Sequence, residues 1–257
     1  MNSIAWWRKA AVGWVYPPIC AGCDEVLPIT RQLEFPFLCA DCESRLPGLK
    51  GVGCLVCGQH YETPPGVAFR CSNCHDRELG FDYAVSAIRN TGLARDLMHR
   101  FKYGKQVHLS RLMGALMKQV WADERLRRRD HWWVIPVPLH FRRERERGFN
   151  QSVELAKAWV KSAPEGIDLS YRPILKRVTS TVRQAQLDRV DRLENPNGVF
   201  AVRSSYLRSI RKKPRSDLGA ILVDDVMTTG ATVSECARVL RETGQFDEIV
   251  GISAMRG

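Results

Sequence analysis

The sequence predicts an α/β protein, with a mostly parallel sheet flanked by helices and a small cysteine-rich domain in front of it. Three observations lead there. Apolar strand-like runs alternate with helical patterns from Tyr83 to Ala254. The last strand, helix, strand unit opens on a continuous apolar run, Ala220 to Val223, as a strand buried on both faces does. Every cysteine except Cys236 falls into one of four Cys-x2-Cys pairs ahead of the alternating region.

The N-terminal stretch carries Trp6, Trp7 and Trp14. Arg8 and Lys9 precede only the short uncharged run Ala10 to Tyr16, and Pro17 and Pro18 follow without a small-x-small cleavage site. An amphipathic helix docked on the protein is expected there rather than an export signal, and weak attachment to a membrane surface is compatible with it. No apolar run approaches the roughly 18 residues of a membrane span, so no stable membrane insertion is expected and the expected compartment is the cytoplasm.

The paired cysteines come next. Cys20 and Cys23, Cys39 and Cys42, Cys54 and Cys57, and Cys71 and Cys74 have the spacing of Zn²⁺ ribbons. Gly22, Gly53 and Gly58 stand where tight knuckle turns need them. Disulfides are the competing use, and they suit an exported chain. The expectation is two structural Zn²⁺ ions, one on Cys20, Cys23, Cys39 and Cys42, the other on Cys54, Cys57, Cys71 and Cys74. An interleaved arrangement, first knuckle with third, fits the spacing as well. Four sulfurs leave no open position for water, so such sites fold a segment rather than catalyse. His60 and His75 are read as bystanders. Residues 1–78 are expected to form this double ribbon with its N-terminal helix, and 79–257 the larger domain.

Within the larger domain, Tyr83 to Arg89 reads as a strand. Leu93 to Tyr103 and Leu109 to Trp121 read as helices, with apolar residues at helical spacing. Trp132 to Leu139 reads as a strand closed by Pro136 and Pro138, and Gln151 to Lys161 as a helix. Ala220 to Val226, Ala231 to Thr243 and Glu248 to Ala254 form the closing strand, helix, strand unit.

Chemistry concentrates in Ile221 to Leu240. The apolar strand runs into Asp224 and Asp225, and a loop of Thr228, Thr229, Gly230, Ala231 and Thr232 leads into the helix. Ligands of open α/β sheets bind beyond the carboxyl ends of strands. Gly230 permits a tight turn, a Thr hydroxyl can cap the helix, and free N–H groups at a helix start cradle phosphate. Two carboxylates beside a phosphate cradle suit a ligand with both hydroxyls and a phosphate, such as a ribose 5-phosphate. An acidic turn before a capped helix, with no ligand, is the plainer alternative.

This string resembles the signature of phosphoribosyltransferases that bind phosphoribosyl pyrophosphate, which implies a type I phosphoribosyltransferase-like fold. The resemblance implies that Asp224 and Asp225 hold the ribose hydroxyls, and that Thr228, Thr229, Gly230, Ala231 and Thr232 hold the 5-phosphate, with Val223, Val226 and Met227 lining the site. Further blocks resemble the ComF family: Val134 to Gln151 with its Arg-Gly-Phe-Asn-Gln, Leu175 to Phe200, and Arg100 to Lys105. With the cysteine-rich start, the resemblance covers nearly the whole chain. It implies that Pro138, Leu139 and His140 grip pyrophosphate, that Arg143 and Arg147 stabilise it as it leaves, and that Mg²⁺ accompanies it. Residues 175–200 are expected to form a lid over the site, with Arg177, Gln184 and Arg192 as contacts.

A formal net charge of +11 favours anionic partners. Arginines cluster at Arg125 to Arg129, at Arg142 to Arg147 and, with lysines, at Arg208 to Arg215. The leading expectation is a transferase of phosphoribose to an undefined acceptor, tied to DNA uptake in competence or to nucleotide metabolism. The alternatives are a single-stranded DNA-binding zinc protein working with competence and recombination proteins, with the phosphoribosyl site as a sensor, and a regulator of gluconate utilisation like that branch of the family.

Overall fold

Strands β3 (Tyr83–Arg89), β4 (His131–Pro136), β5 (Asp168–Tyr171), β8 (Gly219–Met227) and β9 (Glu248–Arg256) form a five-stranded sheet in the order β3-β9-β8-β4-β5. Every pairing in it is parallel. The computed structural model describes residues 17–28, 35–49, 52–61, 69–178, 199–206 and 217–257. The tryptophans Trp6, Trp7 and Trp14, the basic run from Arg208 to Arg215, and Gln184 and Arg192 lie outside those residues.

The sheet is covered on both faces, which is why its strands read as unbroken apolar runs. Ile221 and Val223 point into one core with Trp132, Val134, Val250 and Ile252. Ala220 and Leu222 point into the other with Ile135, Ile249 and Val137. The first core is closed by α3 (Gly92–Tyr103), α4 (Ser110–Leu116) and α6 (Gln151–Val160), through Leu97, Phe101, Met113 and Trp159. The second is closed by α7 (Ala231–Arg241), through Val233, Cys236, Ala237 and Leu240.

Several boundaries differ from expectation for local reasons. The helix expected to Trp121 ends at Leu116 and continues as a 3-10 stretch, Met117–Ala122. There the Met117 carbonyl accepts from Trp159 Nε1 at 3.1 Å, and the Trp121 and Trp159 rings stack with centroids 4.8 Å apart. β4 stops at Pro136 rather than Leu139, because prolines bring no N–H to the ladder. Helix α5 (Phe141–Arg147) carries no apolar stripe and buries no residue, so periodicity gives no sign of it. It is capped by His140, whose Nδ1 accepts from the Arg142 N–H at 3.2 Å, and ended by Gly148 at φ +80.

The segment expected as a lid has a defined base. β6 (Leu175–Arg177) and β7 (Phe200–Val202) pair antiparallel, and the Val178 N–H donates to the Val199 carbonyl at 2.8 Å. Residues 179–198 between them lie outside the described ones.

The cysteine-rich region packs against the sheet domain at two places. Cys20, Ala21, Leu27, Leu38 and Cys42 belong to the same core as Leu93 and Leu97 of α3. Arg100 holds both carboxylate oxygens of Asp24, at 2.8 and 3.2 Å, and Phe37 meets the His108 ring edge-on. The later cysteines form a small core of their own that borders Val56 and Leu79. Among the described residues no helix is long and apolar enough to cross a membrane.

Candidate functional site

The eight paired cysteines form two groups, Cys20, Cys23, Cys39 and Cys42, and Cys54, Cys57, Cys71 and Cys74, with the sulfurs of each group within 4.8 Å of one another. The interleaved pairing is thereby excluded. At a Zn–S distance of about 2.3 Å, a tetrahedral site sets its sulfurs about 3.8 Å apart. Cys23 and Cys39 stand 3.7 Å apart, as do Cys57 and Cys71. These are far beyond a disulfide bond of about 2 Å. Backbone N–H groups point at the sulfurs: Cys39 N to Cys20 Sγ at 3.3 Å, and Cys71 N to Cys54 Sγ at 3.3 Å. Burial pushes the Cys20 and Cys54 thiols up, yet these N–H donors and those of neighbouring knuckle residues outweigh it and bring both down to about 7. Donor set, spacing and N–H support all fit two structural zinc ions.

The second constellation lies where the sheet changes direction. β4 leads through α5 and α6 to β5 on one side, and β8 leads through α7 to β9 on the other. The crevice beyond two such neighbours is the usual ligand position in open α/β sheets. Asp224 and Asp225 lie near the carboxyl end of β8, and the Val137 N–H, on the approach to Pro138, Leu139 and His140, donates to the Val223 carbonyl at 2.9 Å. Val223 and Met227 are buried beneath, and Val226 is half-buried. Thr228, Thr229, Ala231 and Thr232 are exposed around the buried Gly230. Gly230 is itself the cap of α7, at φ +74, so no side chain caps that helix, and the Thr229 Oγ1 accepts from the Ala231 N–H at 3.4 Å.

The acid pair is held from two helices. The Asn150 side chain accepts from the Ser152 N–H at 3.0 Å and donates to the Val137 carbonyl at 3.2 Å, which fixes the start of α6 against the end of β4. That places Ser152 Oγ to donate to Asp224 Oδ1 at 3.2 Å, where the Asp225 N–H also donates at 2.9 Å. From the last turn of α3, Lys102 Nζ reaches Asp225 Oδ1 at 2.9 Å, with both side chains mostly buried. The Asp224 carboxyl is pushed up to about 7, by burial first and by the neighbouring Asp225 second, against the opposing Asp225 N–H, Lys102 and Ser152.

The arginines separate. Arg147 stacks over Tyr103, 4.9 Å from its centroid, and donates to Tyr103 Oη and Gln151 Oε1, which ties it to the start of α6. Arg143 lies exposed on α5. Arg177 sits on β6, its guanidinium 5.4 Å over the Phe200 ring. The structure thus gathers the acid pair, the loop, the turn after β4 and Arg147 at one end of the sheet. Two clefts of about 400 and 290 Å³ lie elsewhere, beside α1 (Ala40–Ser44) and between the second cysteine group and β3, and neither is lined by the acid pair or the loop.

Comparison with known proteins adds to this geometry. No family model matches the chain. It is 28% identical over 232 residues to Competence protein F of Haemophilus influenzae, covering 88% of this chain and 85% of that one. It is 23% identical over 263 residues to Competence protein ComFC of Bacillus subtilis, covering 96% and 98%. These relatives support the ComF family. A DNA utilization protein YhgH of Salmonella typhimurium is 28% identical over 199 residues, covering 74% of this chain and 78% of that one.

Three residues near the site escaped the sequence reading. Lys102 lay in the short Arg100 to Lys105 block without a role attached, and its spacing from a hydrophobic stripe marks only a helix end. Ser152 follows the Arg-Gly-Phe-Asn-Gln string directly. Arg256 looks like the polar end of a strand. Only the fold brings them to the acid pair and the loop.

Proposed function

We propose that the chain binds phosphoribosyl pyrophosphate with Mg²⁺ and transfers phosphoribose to an acceptor, in the service of DNA uptake. The observation that carries the reading is the juxtaposition of the Asp224–Asp225 pair with the Thr228 to Thr232 loop at the switch point of the sheet. The relatives named for competence and DNA utilisation support the biological setting. In this reading the loop N–H groups and the start of α7 take the 5-phosphate. Asp224 and Asp225 accept hydrogen bonds from the ribose hydroxyls, and Lys102 shares Asp225 with them. A nitrogen nucleophile forms a bond to the sugar C1 as the bond to pyrophosphate breaks, and the electron pair leaves with the pyrophosphate. Mg²⁺ bound together with the pyrophosphate would supply charge neutralisation for the leaving group. Arg143 and Arg147 supply guanidinium charge for the leaving group, which such a cation-like transition state needs more than a strong base. Residues 1–78 and 79–257 act as ribbon and transferase domains in this reading.

Calorimetry with phosphoribosyl pyrophosphate and Mg²⁺ tests the site. The reading requires saturable binding by the wild type and its loss in Asp224→Ala/Asp225→Ala; equal affinity in the two ends it. Pyrophosphate release across nucleobases, amines and DNA ends then identifies the acceptor.

A second reading has its own observation. Tyr103 and Phe141 are 59% and 49% exposed, with Arg147 and Arg142 lying against their rings. Aromatic faces interleaved with arginines suit stacking on single-stranded DNA. In that case the phosphoribosyl site acts as a sensor for a DNA-handling protein. Backbone-driven binding of this kind weakens steeply with salt, and a flat salt response refutes it.

A further inference from the structure

Arg256, the last residue of β9, is only 6% exposed and stands between the candidate phosphate loop and the second cysteine group. Its Nη1 donates to the carbonyls of Met227 at 2.6 Å and Thr228, and to the Gly257 main-chain oxygen at 2.9 Å. Its Nη2 donates to Cys57 Sγ at 3.5 Å. One guanidinium therefore grips the backbone leading into the loop and faces a metal-ligand sulfur on its other side. Arg77, just beyond Cys74, donates from Nη1 to the Thr229 carbonyl at 3.3 Å. The Gly80 N–H donates to Ser234 Oγ at 2.9 Å, tying the same exit segment to α7. Three consecutive carbonyls, 227 to 229, are thus held by arginines anchored in or beside the second ribbon.

A buried guanidinium stays charged and needs an anion close by. The Met227 and Thr228 carbonyls supply dipoles, and Cys57 lies on the other side of the guanidinium, where a metal-bound thiolate supplies negative charge. Four thiolates on one divalent cation retain net negative charge, which faces the guanidinium through Cys57 Sγ. We propose that Arg256 is a positioning residue that bridges the Cys54, Cys57, Cys71 and Cys74 group, which supplies part of its counter-charge, to the 228–232 loop and holds that loop in shape, so that metal occupancy of the group tunes the loop's affinity for a phosphorylated sugar. The ligand part of this rests on the phosphoribosyl reading above; the coupling between metal group and loop does not. Coupling of this kind is reciprocal, so ligand on the loop also retards metal loss.

The test uses the full-length zinc-loaded protein, with Arg256→Lys and Arg256→Gln beside the wild type. Lysine keeps the charge but not the fork that reaches carbonyls and sulfur together. Hydrogen exchange is followed at the amides of 228–232, before and after a chelator strips the second site. Losing charge-assisted bonds of this kind corresponds to exchange faster by at least about tenfold. That rise is expected in both variants and in stripped wild type, and stripping is expected to add little to Arg256→Lys, where the link is already cut. With cobalt in place of zinc, the sulfur-to-metal charge-transfer band of one of the two sites is expected to shift in Arg256→Lys. Unchanged loop exchange and an unchanged band in folded Arg256→Lys overturn the coupling. Should the variants not fold, stripped wild type decides alone, and unaltered loop exchange there overturns it equally. A wild type whose loop responds to stripping but which does not bind phosphoribosyl pyrophosphate supports the coupling and overturns the ligand assignment.

Discussion

Replacing Lys102 with methionine keeps its unbranched stem and removes the cation facing the acid pair. The Lys102–Asp225 contact is 2.9 Å, and the two side chains are 18% and 14% exposed. Exposed pairs contribute about 0.2–1 kcal/mol, while removing one partner of a fully buried pair costs about 3–5 kcal/mol. The observed burial lies nearer the second case, so Lys102→Met is expected to cost about 2–3 kcal/mol at pH 8. The loss has a pH signature. Lys102 already opposes the rise that leaves the Asp224 carboxyl near 7, so without it that carboxyl moves higher still. At pH 5 Asp224 is protonated, one of the two facing negative charges is gone, and the cost falls to about 1 kcal/mol. Denaturant unfolding at the two pH values measures both numbers. A double variant, Lys102→Met/Asp225→Asn, should recover most of the loss, because the unpaired carboxylate has been neutralised. An equal loss at both pH values, or no recovery in the double variant, refutes the view that the lysine compensates the acid pair.

Asp224→Asn tests the same carboxyl from the other side. The unfolded group ionises near 3.8 and the folded one near 7, so the stability linked to Asp224 is lost as pH rises between those values; the variant should be more stable than wild type at pH 8 and converge with it toward pH 4 in thermal unfolding. Gly230→Ala places a Cβ at φ +74 and 3.3 Å from the Phe81 ring, and should cost about 1–2 kcal/mol by denaturant titration. Chelation should remove zinc in two phases, because Cys23 is exposed in the first group while all four sulfurs of the second are buried; a single release phase followed by a metal-sensitive dye contradicts this.

What could be read from the sequence follows from what leaves a local trace. Parallel strands buried on both faces leave continuous apolar runs, so Ala220 to Val223 announced β8, and the acids and loop beyond it followed at fixed offsets. α5 left no trace because it buries no apolar residue, and β5 to β7 are too short for a period to emerge. Spacing alone left the sequential and the interleaved pairing of the cysteine knuckles open, since any grouping of two knuckles brings four thiols together; three-dimensional proximity decided for the sequential one. Lys102, Ser152 and Arg256 come from elements remote in the chain, and only strand order makes them neighbours of the loop.

The docking of Cys20, Ala21, Leu27 and Leu38 onto α3 also bears on the order of events during synthesis. These residues leave the ribosome well ahead of Leu93, Leu97 and Arg100, the partners that bury them. Early chelation of Zn²⁺ by Cys20, Cys23, Cys39 and Cys42 would close a short loop at little entropic cost, and so would hold a half-finished apolar surface in its final shape until α3 arrives to cover it. A metal bound there would act as a folding clamp for a nascent chain, a task separate from anything it does once the protein is complete.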